Sequence, residues 1–332
     1  MANETQDKSR VVILDDYEGL ASEAPAFKEL AARAQVTVLR TRLANDMELN
    51  RALGDAQCIL LVRERTRLSA QQLGLAPRLR MISQTGVTVG HFDFAEATRR
   101  GIVVTGTRGD NSVSTVELTL ALILALARKI PLVDRKMRQE AWPPIPGQLL
   151  HNKTLGVVGL GRIGKEVARL AQAFGMRVIA CGKTLTDERA RAAGCERVSL
   201  ENLLRQSDIV TIHVKLIQQT RGLIGEKELA LMKPEAFLVN TSRGPIIAEA
   251  ALVRALSEGR LGGVGLDVYD QEPLPLEHPL RTFDNAVLLP HRGYATVEVL
   301  VERFDLAMRN IINFLEGNPT EVLNPEVLGG KK

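Results

Sequence analysis

The stretch Lys153–Gly164 limits what this chain can fold into more than any other. Leu155–Val158 is a short apolar run without alternation, as a strand buried on both faces requires. Gly159, Gly161 and Gly164 follow in G-x-G-x-x-G spacing, and a helical pattern runs on through Lys165–Phe174. In such a turn the first glycine bends the chain tightly and the second lets backbone approach a pyrophosphate. The third lets the helix pack closely on the strand. The helix start then offers N–H groups and a positive dipole end to a diphosphate. Glycines also cluster in ordinary turns, so the spacing alone is weak. Here a strand precedes it, a helix follows, and Met176–Cys181 reads as the next parallel strand, which together predict dinucleotide binding.

The chain has 332 residues, a length that suggests about two domains. With 45% hydrophobic and 25% charged residues it can bury a sizeable core. Its net charge of +4 comes from 43 basic and 39 acidic residues that are well mixed. No basic tract is dense enough for nucleic acid, although the small excess favours an anionic substrate or cofactor. Cys58, Cys181 and Cys195 lack C-x-x-C spacing and read as small buried hydrophobes in a reducing compartment; no metal is expected. Met1–Arg10 is polar, without a signal-peptide core. The longest apolar run, Leu118–Ala127, is too short to cross a membrane. A cytoplasmic protein with neither membrane nor nucleic-acid partner is expected.

Taken in order, Val11–Asp15, Gln35–Leu39, Cys58–Val62, Leu79–Ser83 and Ile102–Thr105 read as strands, with helices at Pro25–Arg33 and Ala44–Leu53. Strands alternating with helices mean a parallel sheet. This first unit lacks a glycine fingerprint. Val113–Arg128 is a long helix pattern leading into Pro131, and Pro143–Gly147 is a turn-rich connector. The second unit has strands Leu155–Val158, Arg177–Cys181, Ile209–Val214, Phe237–Asn240, Gly263–Asp267 and Ala286–Leu289. Its helices lie near Arg162–Phe174, Leu200–Arg205, Glu226–Met232 and Glu249–Glu258, with Asp187 and Glu188 inside a further one. Val297–Leu315 is a final long helix, and the tail Gly317–Lys332 is expected to loop back onto the surface. If that helix returns to the first unit, the second is an insertion. The boundaries are then 1–109 with 297–332 for one domain and 110–296 for the other.

These residues carry a resemblance. Gly159–Gly164, Ser207–His213, Leu231–Gly244, Gly265–Pro273 and Pro290-His291 resemble, in order, the motifs of the D-isomer-specific 2-hydroxyacid dehydrogenases. The resemblance runs from about Val11 to Pro325. It implies two Rossmann-like α/β domains, the NAD(P)-binding one inserted into a flavodoxin-like substrate domain. It also implies a homodimer formed through the cofactor domain, using the helix at Val113–Arg128. Hydride transfer would occur between the domains, with closure to exclude water.

Interconverting a 2-hydroxy and a 2-oxo acid needs a cation for the carboxylate and an acid/base for the hydroxyl proton. Arg243 follows a strand end, where α/β sheets build sites, and a guanidinium can hold a carboxylate through two parallel bonds. By its residues alone an arginine there more often caps the strand end; the resemblance, carried by the intact Asn240–Gly244 motif, makes it the carboxylate binder. His213 and His291 both sit at strand ends, and the residues alone do not choose between them. The resemblance makes His291 the acid/base and leaves His213 lining the cofactor site through its backbone. It makes Glu272 the carboxylate that orients the imidazole and favours its protonated form. Related formate dehydrogenases carry an amide there, so Glu272 argues against formate. Gly159, Gly161, Arg162, Ile163 and Gly164 present backbone to the pyrophosphate, with Thr241 and Asp267 placed around the cofactor.

Two departures bear on specificity. NAD-users of the family end the second strand with an acid that binds the ribose hydroxyls, whereas here that strand runs into Gly182-Lys183-Thr184. Losing the acid removes repulsion against a 2′-phosphate, which Lys183 or Thr184 could contact, so the reading leans to NADP over NAD. The substrate loop, Gly-x-Gly-x-Asp-Asn-x-Asp in the family, is Gly86–Asp93 here, with Thr88, Gly90 and His91 altered. The backbone of Thr85, Gly86 and Val87 would still receive the carboxylate. Arg63, in Val62–Thr66, resembles the phosphate-binding arginine of phosphoglycerate dehydrogenases, but Glu64 puts a negative charge beside it. The resemblance implies a small anionic 2-hydroxy or 2-oxo acid as substrate, with 3-phosphoglycerate and glyoxylate or hydroxypyruvate both open. A rival of another class is a dinucleotide-sensing binding protein, like the corepressors that share this fold.

Overall fold

A computed structural model describes residues 8–110, 112–139 and 142–329. The polar segment 1–7 and the last three residues of the tail lie outside the described residues. In chain order the strands are β1 (Arg10–Ile13), β2 (Gln35–Val38), β3 (Cys58–Leu61), β4 (Met81–Gln84), β5 (Val103–Thr105), β6 (Thr154–Val158), β7 (Arg177–Cys181), β8 (Glu196–Arg197), β9 (Ile209–Ile212), β10 (Phe237–Asn240), β11 (Gly263–Leu266) and β12 (Ala286–Leu288). The helices are α1 (Ala26–Arg33), α2 (Asp46–Leu53), α3 (Ala70–Gly74), α4 (Phe94–Arg99), α5 (Ser112–Ala127), α6 (Ile130–Gln139), α7 (Arg162–Ala173), α8 (Asp187–Ala192), α9 (Leu200–Gln206), α10 (Glu226–Leu231), α11 (Glu249–Ser257) and α12 (Val297–Leu315). The chain forms two units, Met1–Asp110 with Thr296–Lys332, and Asn111–Ala295.

The first unit is a parallel sheet in the order β2-β1-β3-β4-β5, the flavodoxin-type winding. Both faces of each inner strand are apolar, so successive residues enter different cores. Val11, Ile13, Cys58, Leu60 and Met81 pack with α1 and with Phe304 and Met308 of α12. Val12, Ile59, Leu61 and Ile82 pack on the other side with Leu53, Leu73 and Ala97. The tail does more than return to the surface. Leu323 N–H donates to Val104 O (2.8 Å), and Val104 N–H donates to Oδ1 of the fully buried Asn324 (2.8 Å). Thr105 and Val322 form an antiparallel bridge, so the tail covers the otherwise open edge of β5.

The second unit is a parallel sheet in the order β12-β11-β10-β9-β6-β7-β8. The chain starts at β6 in the middle, winds out through β7 to β8, and returns to β9 on the other side of β6. This is the dinucleotide-type 3-2-1-4-5-6 order with one further strand, and the reversal beside β6 is the switch point where such sheets bind ligands. One face is covered by α5 and α7, whose Leu122, Leu126, Val167 and Ala171 meet Leu155 and Val157. The other is covered by α9, α10 and α11, whose Leu203, Leu229 and Leu252 meet Val158, Val210 and Leu238. Pro131 starts a helix instead of closing one. It is the second residue of α6, where a missing N–H costs nothing because first-turn donors have no intrahelical partner. The chain breaks between α5 and α6 at Lys129, whose φ is +53°.

Candidate functional site

The glycine turn has the geometry its spacing implies. Gly159 has φ +98°, and a Cβ there would meet the His213 carbonyl oxygen at 2.7 Å. A Cβ on Gly164 would fall onto the Gly159 carbonyl oxygen, so α7 can approach β6 only with glycine at that position. Gly161 caps α7 without a side-chain hydrogen bond and has nothing within 4 Å of its Cβ position. The first turn of α7, at Arg162 and Ile163, therefore opens into space, as a pyrophosphate held by helix N–H groups requires. These residues fit the diphosphate of a dinucleotide.

Gly182 follows β7 directly. Its Cβ position has ordinary contacts only, with Leu185 Cβ at 3.5 Å and Gly159 Cα at 4.0 Å, so nothing steric demands glycine there. Lys183 and Thr184 are exposed. The sequence reading missed Arg189, which donates from Nη1 to the Thr184 carbonyl at 2.8 Å and adds a second cation to this turn. Its one sequence signal is an arginine in the first turn of the helix that follows.

His213 and His291 are separated by their partners. The His213 Nε2 lies 2.9 Å from Thr211 Oγ1, and burial lowers the ring to a pKa of about 4, so it is neutral near pH 7. His291 Nδ1 lies 2.7 Å from Glu272 Oε2, and the other Glu272 oxygen accepts the Tyr269 N–H at 3.0 Å. Burial alone would raise the Glu272 carboxyl. The hydrogen bond and charge of His291, the Tyr269 N–H and the charge of Arg243 outweigh it and hold the group below its ordinary value. Glu272 is thus a carboxylate acceptor to which Nδ1–H donates, and the pair leaves Nε2 as the ring's other nitrogen.

The backbone at His291 has φ +55°, a left-handed conformation that is uncommon outside glycine. Asp267 holds the chain there by accepting from Arg292 N–H (2.6 Å) and Gly293 N–H (2.7 Å). Burial pushes the Asp267 carboxyl up, against the opposing pull of those two donors and of the His291 charge. Ser114 and Thr115 at the start of α5 donate to the Gly293 carbonyl (2.9 and 3.0 Å).

Arg243 is set by a turn just beyond β10. Asn240 Oδ1 accepts the Ser242 N–H (2.9 Å), its Nδ2 donates to the Arg243 carbonyl (2.9 Å), and Ser242 Oγ donates to Ile212 O (2.8 Å). Side-chain oxygens bonded two residues on are the usual way asparagine fixes such a bend. The guanidinium, half-buried, donates from Nη1 to Ser242 O at 2.7 Å. Thr241 is buried, and because Thr119 Oγ1 already donates to Thr115 O, Thr241 Oγ1 is the donor in their 3.0 Å contact.

In the first unit, the Thr85 N–H is consumed by the sheet through Leu61 O (2.9 Å), and Thr85 Oγ1 accepts the Arg63 N–H (2.9 Å). The amides able to receive a carboxylate therefore narrow to Gly86 and Val87, whose N–H groups make no hydrogen bond among the described residues. Arg63 lies against Gly86, with Nη1 3.4 Å from its Cβ position, while its Nε faces Glu64 Oε2 at 3.5 Å. Burial lowers the His91 ring below its ordinary value.

Among the described residues no group of His, Cys, Asp or Glu could hold a metal ion, and no helix is long and apolar enough to cross a membrane. Residues 120–293 match the model of the D-isomer specific 2-hydroxyacid dehydrogenase, NAD binding domain. The chain is similar to the glyoxylate reductase of Aeropyrum pernix, 44% identical over 272 residues that cover 79% of this chain and 81% of that protein. It is also similar to the D-3-phosphoglycerate dehydrogenase of Archaeoglobus fulgidus, 39% identical over 78% of this chain and 50% of that protein. A solved phosphoglycerate oxidoreductase from Vibrio cholerae superposes with a TM-score of 0.85 at 29% identity, covering 93% of this chain and 99% of that one. The chain therefore belongs to the D-isomer specific 2-hydroxyacid dehydrogenases, enzymes that use a nicotinamide dinucleotide to act on small hydroxy or oxo acids.

Proposed function

We propose that this enzyme reduces glyoxylate or hydroxypyruvate, with His291 as acid/base, Glu272 as its orienting carboxylate and Arg243 as the carboxylate-binding cation. The observation that carries the reading is the 2.7 Å contact between His291 Nδ1 and Glu272, with the Arg243 charge acting on the same carboxylate. A bound nicotinamide supplies or accepts the hydride at its C4. Arg243 grips the substrate carboxylate and polarises the adjacent carbonyl, leaving that carbon electron-poor. In reduction, Nε2–H of the doubly protonated His291 delivers its proton to the forming alkoxide oxygen. The ring is left neutral with Nδ1–H still donated to Glu272, ready to act as base in the reverse direction. In the first unit, the N–H groups of Gly86 and Val87 are the proposed donors to a substrate carboxylate.

Two observations support glyoxylate-type substrates over 3-phosphoglycerate. Glu64 lies 3.5 Å from Arg63 Nε and competes with a phosphate for that cation. The glyoxylate reductase relative is 44% identical to this chain, and the phosphoglycerate dehydrogenase relative 39%. Gly182, Lys183 and Arg189 support NADPH as the donor. Exposed Val113, Ile130 and Met137 on α5 and α6 support a dimer formed through the second unit.

Steady-state reduction of glyoxylate, hydroxypyruvate, pyruvate and phosphohydroxypyruvate, each with NADPH and NADH, tests this reading. Turnover of the first two is expected, and His291→Ala should lower kcat by about 10³-fold with cofactor affinity unchanged. Near-normal turnover in that variant removes His291 from the chemistry. No turnover with any oxo acid favours a dinucleotide-sensing role.

A further inference from the structure

Tyr269 bonds to Glu272 directly and to the segment that leads into His291. Its backbone N–H donates to Glu272 Oε1 at 3.0 Å, while Glu272 Oε2 receives His291 Nδ1–H at 2.7 Å. Its hydroxyl lies 3.0 Å from the carbonyl of Leu289, two residues before His291, and 3.3 Å from that of Leu266, one residue before Asp267. A phenol has one proton to give, and the Leu266 carbonyl already accepts the Leu289 N–H at 2.8 Å. The nearer Leu289 carbonyl is therefore the acceptor. A closed circuit results, from the Tyr269 hydroxyl through Leu289 and Pro290 to His291, across to Glu272, and back to the Tyr269 amide.

We propose that Tyr269 is a positioning residue for the proton-transferring pair, and that its hydroxyl sets the separation of His291 from Glu272. The inference rests on the catalytic reading given above. The His291 backbone has φ +55°, and such a conformation persists only where its surroundings hold it. On the far side Asp267 binds the N–H groups of Arg292 and Gly293, and on the near side Tyr269 binds the Leu289 carbonyl. The ring is 8% exposed and packs in the core beside Leu266 and Leu280, so it cannot swing away from these partners. Burial, and then the charge of Asp267, push the phenol pKa upward, so it remains a donor across the working pH range.

Tyr269→Phe keeps the ring and its packing and removes only the hydroxyl. The expected result is a fall in kcat of about tenfold, the cost of leaving one buried carbonyl unpaired beside the acid/base. KM for oxo acid and cofactor should stay within about twofold, since the hydroxyl is spent on a backbone carbonyl in the core. In a Glu272→Ala background the same substitution should have no further effect on kcat. A readout independent of turnover is the low-field proton resonance of His291 Nδ1–H, assigned by its loss in His291→Asn. It should be broadened or lost in Tyr269→Phe. A lowered Tm with unchanged kcat and intact resonance would overturn the proposal and leave Tyr269 a core residue. If the wild-type protein turns over no oxo acid, the catalytic reading fails, and the resonance alone decides whether Tyr269 holds the pair.

Discussion

Replacing Gly182 by aspartate should convert the cofactor preference, and the size of the change can be worked from the end of β7. The Cβ it introduces meets Leu185 Cβ at 3.5 Å and Gly159 Cα at 4.0 Å, both ordinary contacts, so the substitution costs little in packing. A carboxylate at this strand end can accept from both hydroxyls of an adenosine ribose. Two charge-assisted bonds at about 1.5 kcal/mol each give about 3 kcal/mol, or about 10²-fold in favour of NADH. Facing a 2′-phosphate instead, the same group meets like charge, which costs about 1 kcal/mol or more at a solvent-exposed separation of a few ångströms. The ratio of kcat/KM for NADPH to that for NADH should therefore fall by about 10³-fold in Gly182→Asp. Lys183→Ala and Arg189→Ala should each weaken NADPH alone, by up to about tenfold. The assay is initial-rate kinetics with one oxo acid and both cofactors. A ratio that stays within threefold of wild type in Gly182→Asp, or a wild type that already prefers NADH strongly, would refute the assignment of this turn to the ribose.

Other consequences are more direct. Gly164→Ala drives a methyl into the Gly159 carbonyl oxygen, which backbone cannot yield cheaply; we expect a loss of about 3 kcal/mol in denaturant melts together with weakened cofactor binding. Arg243→Lys keeps the charge but loses the paired bonds to a carboxylate, and kcat/KM should drop by about 10²-fold with the melting temperature unchanged. Asp208 accepts from Thr154 N–H (2.8 Å) and Lys233 Nζ (2.9 Å), and although its burial acts to raise it, these partners leave it below its ordinary value. Because its folded value is depressed, its contribution is present above about pH 4 and is lost as pH falls through the lowered value. Asp208→Asn should thus be less stable than wild type near neutrality and converge with it in acid melts; a constant difference across pH would contradict this.

Much of this molecule is legible in the chain because its strands are short, apolar and buried on both faces. β7, β10 and α12 fall at the residues their patterns mark, and the glycine turn at Gly159–Gly164 has the close contacts its spacing demands. The misses have physical causes. α3 and α4 span five and six residues, too few turns to show a period, and β8 is a pair of exposed residues that only its neighbour β7 makes into a strand. α6 was hidden because Pro131 is compatible with ending one helix and with starting the next. What distinguishes His291 from His213 is a contact across nineteen residues, to Glu272, that no local pattern contains. Nor could spacing reveal that the Thr85 amide is spent on Leu61, since that depends on where β3 ends beside β4.

The divided first unit also has a consequence for synthesis. Ser83 in β4 donates to Ala307 O (2.9 Å), Arg303 donates to Thr107 O (2.9 Å), and the β5 edge is completed only by Leu323 and Asn324. A chain leaving the ribosome thus carries an apolar sheet face, with Leu60 and Met81 uncovered, through the translation of every residue up to α12. The second unit is made of continuous sequence and can close before that helix emerges. Vectorial synthesis therefore completes the nucleotide-type sheet first and leaves the earlier-made strands as the segment most in need of chaperone cover.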